Sequence, residues 1–311
     1  MIIAILRGTG RNARWVLSGG CILALFLPGI SASLRPALPV LVSMVFALAM
    51  ARIDLAGTLR AAIQPRRLAF LLVLSFLLLP LTALLYGTLG RLFGPEVSLT
   101  LVYLAAAPPI ASAAGLCFLL GFNARLALEI TVAASLLTPI LGPLAVALAA
   151  PETAPRPDPL ILARNLSLMI FGGVLAATLI RRAIGPGRIA DNAQIFDGIA
   201  ALGMLVFVFP LFDKVGALIL ADPARAAGIL ALAVTFNVGV NLATRATLGN
   251  RLPAEDTGAY GITFGNRTIA MYLAVVPFEP VFALFVALYQ IPMYFTPLVL
   301  ARLSLVPAPK S

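Results

Sequence analysis

Residues 99–143 read LTLVYLAAAPPIASAAGLCFLLGFNARLALEITVAASLLTPILGP. Two apolar segments lie in this stretch, and the first is interrupted in its middle by Pro108-Pro109. A proline removes a helix hydrogen-bond donor and its ring clashes with the preceding turn, so two in succession predict a break in the helix. The break falls at bilayer depth. Backbone groups freed in hydrocarbon persist only where protein or a water-lined cavity satisfies them, so the interruption points to a site rather than to a plain anchor.

Composition sets the class around that stretch. With 61% hydrophobic and 11% charged residues over 311 positions, and a mean hydropathy of +1.04, the chain has more apolar side chain than a soluble core can bury. It reads as an all-α polytopic membrane protein. The formal net charge of +10 would suggest nucleic acid in a soluble chain; here the arginines cluster in short loops between apolar runs and act as topology signals, so no nucleic-acid partner is expected. Cys21 and Cys117 are far apart within apolar segments, and histidine is absent. No disulfide framework, His-based metal site or cofactor is expected. No nucleophile, base and orienting group can be assembled, and no phosphate loop is present, so an enzyme is not expected.

Ten spans are predicted, at about 15–28, 36–50, 68–89, 97–122, 126–149, 160–180, 195–211, 226–248, 258–277 and 280–303. Arg7, Arg11 and Arg14 followed by an apolar run to Pro28 and Ser31-Ala32-Ser33 also fit a signal peptide; a second span follows within a few residues, which fits retention as the first span. With the N-terminus inside, fifteen basic residues (Arg7, Arg11, Arg14, Arg52, Arg60, Arg66, Arg67, Arg125, Arg181, Arg182, Arg188, Arg245, Arg251, Arg302 and Lys310) lie on the cytoplasmic side. Six (Arg35, Arg91, Arg156, Arg164, Lys214 and Arg225) lie at the other side, which places both termini in the cytoplasm of a multi-pass protein. The preference for arginine over lysine suggests a GC-rich bacterial genome, and a bacterial inner membrane is the expected location. Arg267 belongs to neither group.

The polar connection PETAPRPDP (151–159) divides the chain into five spans and five, and an odd number per half requires opposite insertion of the halves. Thr-Pro occurs twice, at Thr138-Pro139 and Thr296-Pro297, in the fifth and tenth spans. Thirty residues before each threonine stand Pro108 and Asn266. Asn266 lies in a span weakened by Gly258, Gly261 and Gly265, glycine being about 1 kcal/mol less favourable than alanine in a helix. Interrupted helices at matched positions of inverted halves point to a midplane binding site in a secondary transporter.

The run from Pro108 to Pro143, with Leu136-Leu137-Thr138-Pro139, resembles the fourth and fifth spans of the bile acid:sodium symporter family, and GITFGNRTIAMYLAV (261–275) resembles that family's ninth. The resemblance implies a core of spans three to five and eight to ten (66–150 and 223–305), whose broken helices four and nine cross. It also implies a panel of spans one, two, six and seven (1–54 and 157–215), against which the core rocks. The family's two sodium ions are held by side chains whose positions here are Ser75, Ala113, Ala114, Ala127, Thr131, Gly261 and Gly265. A sodium ion needs a cage of oxygens, and a methyl or a hydrogen stands at most of these positions. Ser75 and Thr131 are the remnants, and sodium coupling by this route is not expected.

Asn266 is retained, followed by Arg267. The expectation is that the guanidinium stands in for a bound cation, ties the crossing together and presents positive charge to a small organic anion; a structural ion pair or a side chain reaching the interface is the other reading. Thr268, Asn237, Asn241 and Ser112 join the candidate substrate-binding set, although intramembrane amides also serve to join helices. Glu129 either answers Arg267, carries a coupling proton, or pairs locally with Arg125 one turn earlier. A non-transporting receptor of the same fold fits the missing ligands as well as a transporter does.

Overall fold

The computed structural model describes residues 6, 8, 9 and 12–302; Arg7, Arg11 and Lys310, counted above for topology, lie outside them. Twelve helices carry the architecture: α1 Ala13–Phe26, α2 Pro28–Ala51 and α3 Pro65–Phe93, α4 Pro95–Ala106, α5 Ala113–Leu119, α6 Ala124–Ala149, α7 Pro159–Ile184, α8 Ala193–Leu211, α9 Pro223–Leu248, α10 Ala254–Gly265, α11 Ala270–Leu273 and α12 Pro280–Arg302. Among the described residues there is no strand, only one isolated antiparallel bridge.

Six of these helices, α2, α3 and α6 to α9, are long and apolar enough to cross a membrane, and three shorter apolar helices accompany them: Val16–Phe26, Pro95–Ala106 and Pro280–Thr296. The chain is an all-α protein of membrane type. Its long helices carry apolar side chains outward, as with Leu77, Leu81, Leu84 and Leu85 on α3 and Leu168, Phe171 and Leu175 on α7. Spacings of three and four place each set on one helix face, where lipid is the natural neighbour. By contrast α4 is buried on every side from Val97 to Ala106, and α12 is buried throughout residues 281–290. These two apolar helices form the centre of the protein.

Local chemistry explains the boundaries. Proline opens α2, α3, α4, α7, α9 and α12 at the position where a missing N–H costs nothing. Asp158 caps α7 by accepting from the N–H groups of Leu160 and Ile161, both at 2.9 Å, and Asp222 caps α9 through Arg225 N–H at 2.9 Å. Gly94, with φ of 113°, makes the reversal between α3 and α4. Pro139 and Pro143 lie inside α6 without ending it.

Two helices contain a π-helical turn, α3 at Leu74–Leu78 and α9 at Thr235–Gly239. Such turns insert one residue into an α-helix and concentrate at functional positions. The first holds buried Ser75 and the second buried Asn237.

Candidate functional site: the crossing of two interrupted helices

The Pro108-Pro109 pair ends α4. Ala107 turns to an extended conformation, and helix resumes as α5 at Ala113. In the other half α10 ends at Gly265, Asn266 is extended with φ −112° and ψ 101°, and a single helical turn, α11, follows. Gly261, expected at the second break, lies inside a regular part of α10: glycine weakens a helix without forbidding it, and the break begins one residue after Gly265.

The two breaks meet. Pro109 and Arg267 are paired in the isolated antiparallel bridge. Its hydrogen bonds run from Ile110 N–H to the Asn266 carbonyl at 3.0 Å and from Thr268 N–H to the Pro108 carbonyl at 2.8 Å. Pro109 and Arg267 therefore face each other as a pair that exchanges no backbone hydrogen bond. Neither proline is asked for the N–H it lacks, which is why the dipeptide fits here. Thr268 adds a second tie, its hydroxyl donating to the Pro109 carbonyl at 3.1 Å.

Arg267 closes the ends of both helices. Its Nη2 donates to the Ala105 carbonyl at 2.6 Å and its Nη1 to the Thr263 carbonyl at 3.4 Å. These acceptors belong to the last turns of α4 and α10, where carbonyls have no partner within the helix. Each C-terminus carries roughly half a negative elementary charge from the aligned peptide dipoles, so two converging ends sum to about one unit. One guanidinium offsets that charge. Among the described residues no carboxylate pairs with Arg267, and its partners are backbone oxygens from both interrupted helices.

The Ile262 and Gly265 carbonyls of α10 are also satisfied. Asn266 donates to Ile262 through its backbone N–H at 3.0 Å and through Nδ2 at 3.2 Å. The Gly265 carbonyl accepts from Asn237 Nδ2 at 2.7 Å and from the Tyr289 hydroxyl at 2.5 Å. Asn237 also donates to Asn266 Oδ1 at 3.2 Å and accepts from the Thr296 hydroxyl. A side chain at Gly265 would lie 2.6 Å from the Asn237 carbonyl, so the glycine permits the close approach of α9 to α10. Tyr289 and Thr296 were not among the residues expected here on chemical grounds. Thr296 carried one signal, its place in the second Thr-Pro pair.

The other candidates are distributed as follows. Asn241, fully buried, leaves both polar atoms of its amide without a partner; its Oδ1 lies 3.0 Å from where a side chain at Gly261 would begin. Ser112 is exposed at the start of α5, and its hydroxyl does not cap that helix. Thr131 is buried and donates to Ala127 within its own helix at 2.7 Å. Glu129 does not meet Arg267: its buried carboxylate accepts from Arg125 at 3.1 Å and from Arg67. A cavity of about 620 Å³ lined by Arg91, Glu152 and Arg156, and one of about 150 Å³ lined by Glu96, Tyr103 and Glu279, open near the start of α4. Neither is lined by residues 108–109 or 266–268. Among the described residues no cluster of three His, Cys, Asp or Glu side chains is placed to hold a metal ion.

The sequence matches no protein-family model, and no characterised protein is significantly similar to it.

Proposed function

We propose that the chain is a secondary transporter of a small organic anion, of bile-acid or simple carboxylate type, related to the bile acid:sodium symporters. In this reading ten spans form two inverted halves, with both termini in the cytoplasm of a bacterial inner membrane. The core (66–150 and 223–305) carries the crossing and moves against the panel (1–54 and 157–215). The observation that supports it best is the single guanidinium of Arg267 bonded to backbone carbonyls of two helices interrupted at the same place. A helix broken at bilayer depth is expensive unless its open groups are used, and broken helices from two halves are the usual setting of a substrate site.

Arg267 acts as a tethered cation. It offsets the two helix C-termini, which in a sodium-coupled relative a dissolved ion would help to offset, and it presents positive charge to an anion once the core moves. Asn266 and Thr268 fix the backbone on either side of it. Coupling to sodium is not part of the reading.

Uptake of radiolabelled cholate and benzoate into proteoliposomes, with and without a sodium gradient and with and without a pH gradient, tests the proposal. Accumulation of either probe that is indifferent to sodium is expected. Absence of uptake of any carboxylate, or strict sodium dependence, overturns it.

A further inference from the structure

A second arginine, Arg35, also joins helix ends. Arg35 occupies a tight turn within α2; its Nη1 donates to the Pro210 carbonyl at 3.4 Å and its Nη2 to the Leu273 carbonyl at 3.3 Å. Both acceptors are in the final turns of helices, α8 and α11. The guanidinium carbon lies 5.7 Å from the centre of the Phe278 ring, and the Lys214 ammonium lies 4.8 Å from the same centre. Two cations thus hold one aromatic ring. Lys214 does so from a left-handed backbone conformation, φ 62°, which is uncommon for any residue but glycine. Asp213, buried beside it, interacts electrostatically with Arg35.

The partners divide by segment. Arg35, Pro210 and Lys214 belong to the segments assigned to the panel, whereas Leu273 and Phe278 belong to the connection between α10 and α12. We propose that Arg35, Lys214 and Phe278 form a latch that closes this face of the protein and opens when core and panel move apart. The inference rests on the transporter reading. Its bonds are of a strength that can be broken and remade, because contacts of 3.3–3.4 Å lie at the long end of the hydrogen-bond range and an exposed cation–π pair is weak. The 2.6 Å bond of Arg267 within the crossing is the contrasting permanent tie.

The test uses full-length protein in oriented vesicles, with Cys21→Ala and Cys117→Ala and a reporter, Val42→Cys, placed two turns beyond Arg35 at a buried position. The rate of labelling by a membrane-impermeant maleimide, applied from the face that carries residues 151–158, reads the opening of the seam. Arg35→Ala and Phe278→Ala are each expected to raise that rate at least fivefold, and Arg35→Lys to raise it less. Phe278 is 38% exposed, so its truncation keeps the test decisive if Arg35→Ala fails to fold. Unchanged labelling in Phe278→Ala overturns the latch. Uptake of the same labelled carboxylates by the parent protein judges the transporter reading separately: uptake by the parent with unchanged labelling in Phe278→Ala removes only the latch, and no uptake by the parent with accelerated labelling in Phe278→Ala removes the carrier and leaves the contact as a tie that closes this face.

Discussion

Replacing Arg267 by methionine removes the guanidinium while keeping an unbranched apolar stem. The loss can be worked from its two bonds. A hydrogen bond involving a charged group contributes about 1.5–3 kcal/mol; the 2.6 Å contact to Ala105 merits the upper part of that range, and the 3.4 Å contact to Thr263 is near the limit of bonding and adds little. Polar contacts between membrane helices measure somewhat weaker, because the separated state finds other partners. Together these give about 2 kcal/mol. At roughly 2 °C per kcal/mol for a large domain, the melting midpoint in detergent should fall by about 4 °C, followed by fluorescence-detected size exclusion after heating. Arg267→Lys keeps the charge on a single ammonium that cannot bridge both carbonyls as a planar fork does, and should lose about half as much. A methionine variant that melts within about 1 °C of the parent, against the shift worked above, would refute the claim that this side chain holds the two helix ends.

Asn237→Leu should cost about 1–2 kcal/mol: it removes donors from the Gly265 carbonyl and from Asn266 Oδ1, while Gly265 keeps the Tyr289 hydroxyl and Thr296 keeps the Pro292 carbonyl at 2.6 Å. Thr296→Val should cost about 1 kcal/mol alone and almost nothing in the Asn237→Leu background, since the two share one bond; the same melting assay reads both. Glu129→Gln breaks pairs with two arginines that are 39% and 66% exposed, so about 1 kcal/mol is expected after discounting for solvent. Uptake in that variant should keep the pH profile of the parent, and a shifted profile would give Glu129 a role in proton coupling.

Much of this arrangement is written locally in the chain, and what is missing from the sequence is missing for physical reasons. Pro108-Pro109 announces the first break because proline lacks the donor that a helix needs. The second break carries no such residue and is visible only through its spacing from Thr296; glycines blurred its position by several residues. The guanidinium of Arg267 needs a partner that no side-chain pattern announces, since backbone carbonyls carry no residue identity. Arg125 and Glu129 are one turn apart and were legible as a pair, whereas Arg67 reaches the same carboxylate from 62 residues away. Arg35 read only as one more charge in a loop. Its contacts with Pro210 and Leu273 exist because distant segments end side by side, which no local pattern encodes.

The π-helical turn at Leu74–Leu78 bears on how such a chain is read at all. One additional residue rotates everything after it by about 100° relative to an unbroken α-helix. The face that points inward before Val73 therefore continues, after Leu79, along what a helical wheel drawn through the whole segment would assign to lipid. Any variant library that sorts α3 into inner and outer positions needs two wheels, one on each side of that turn.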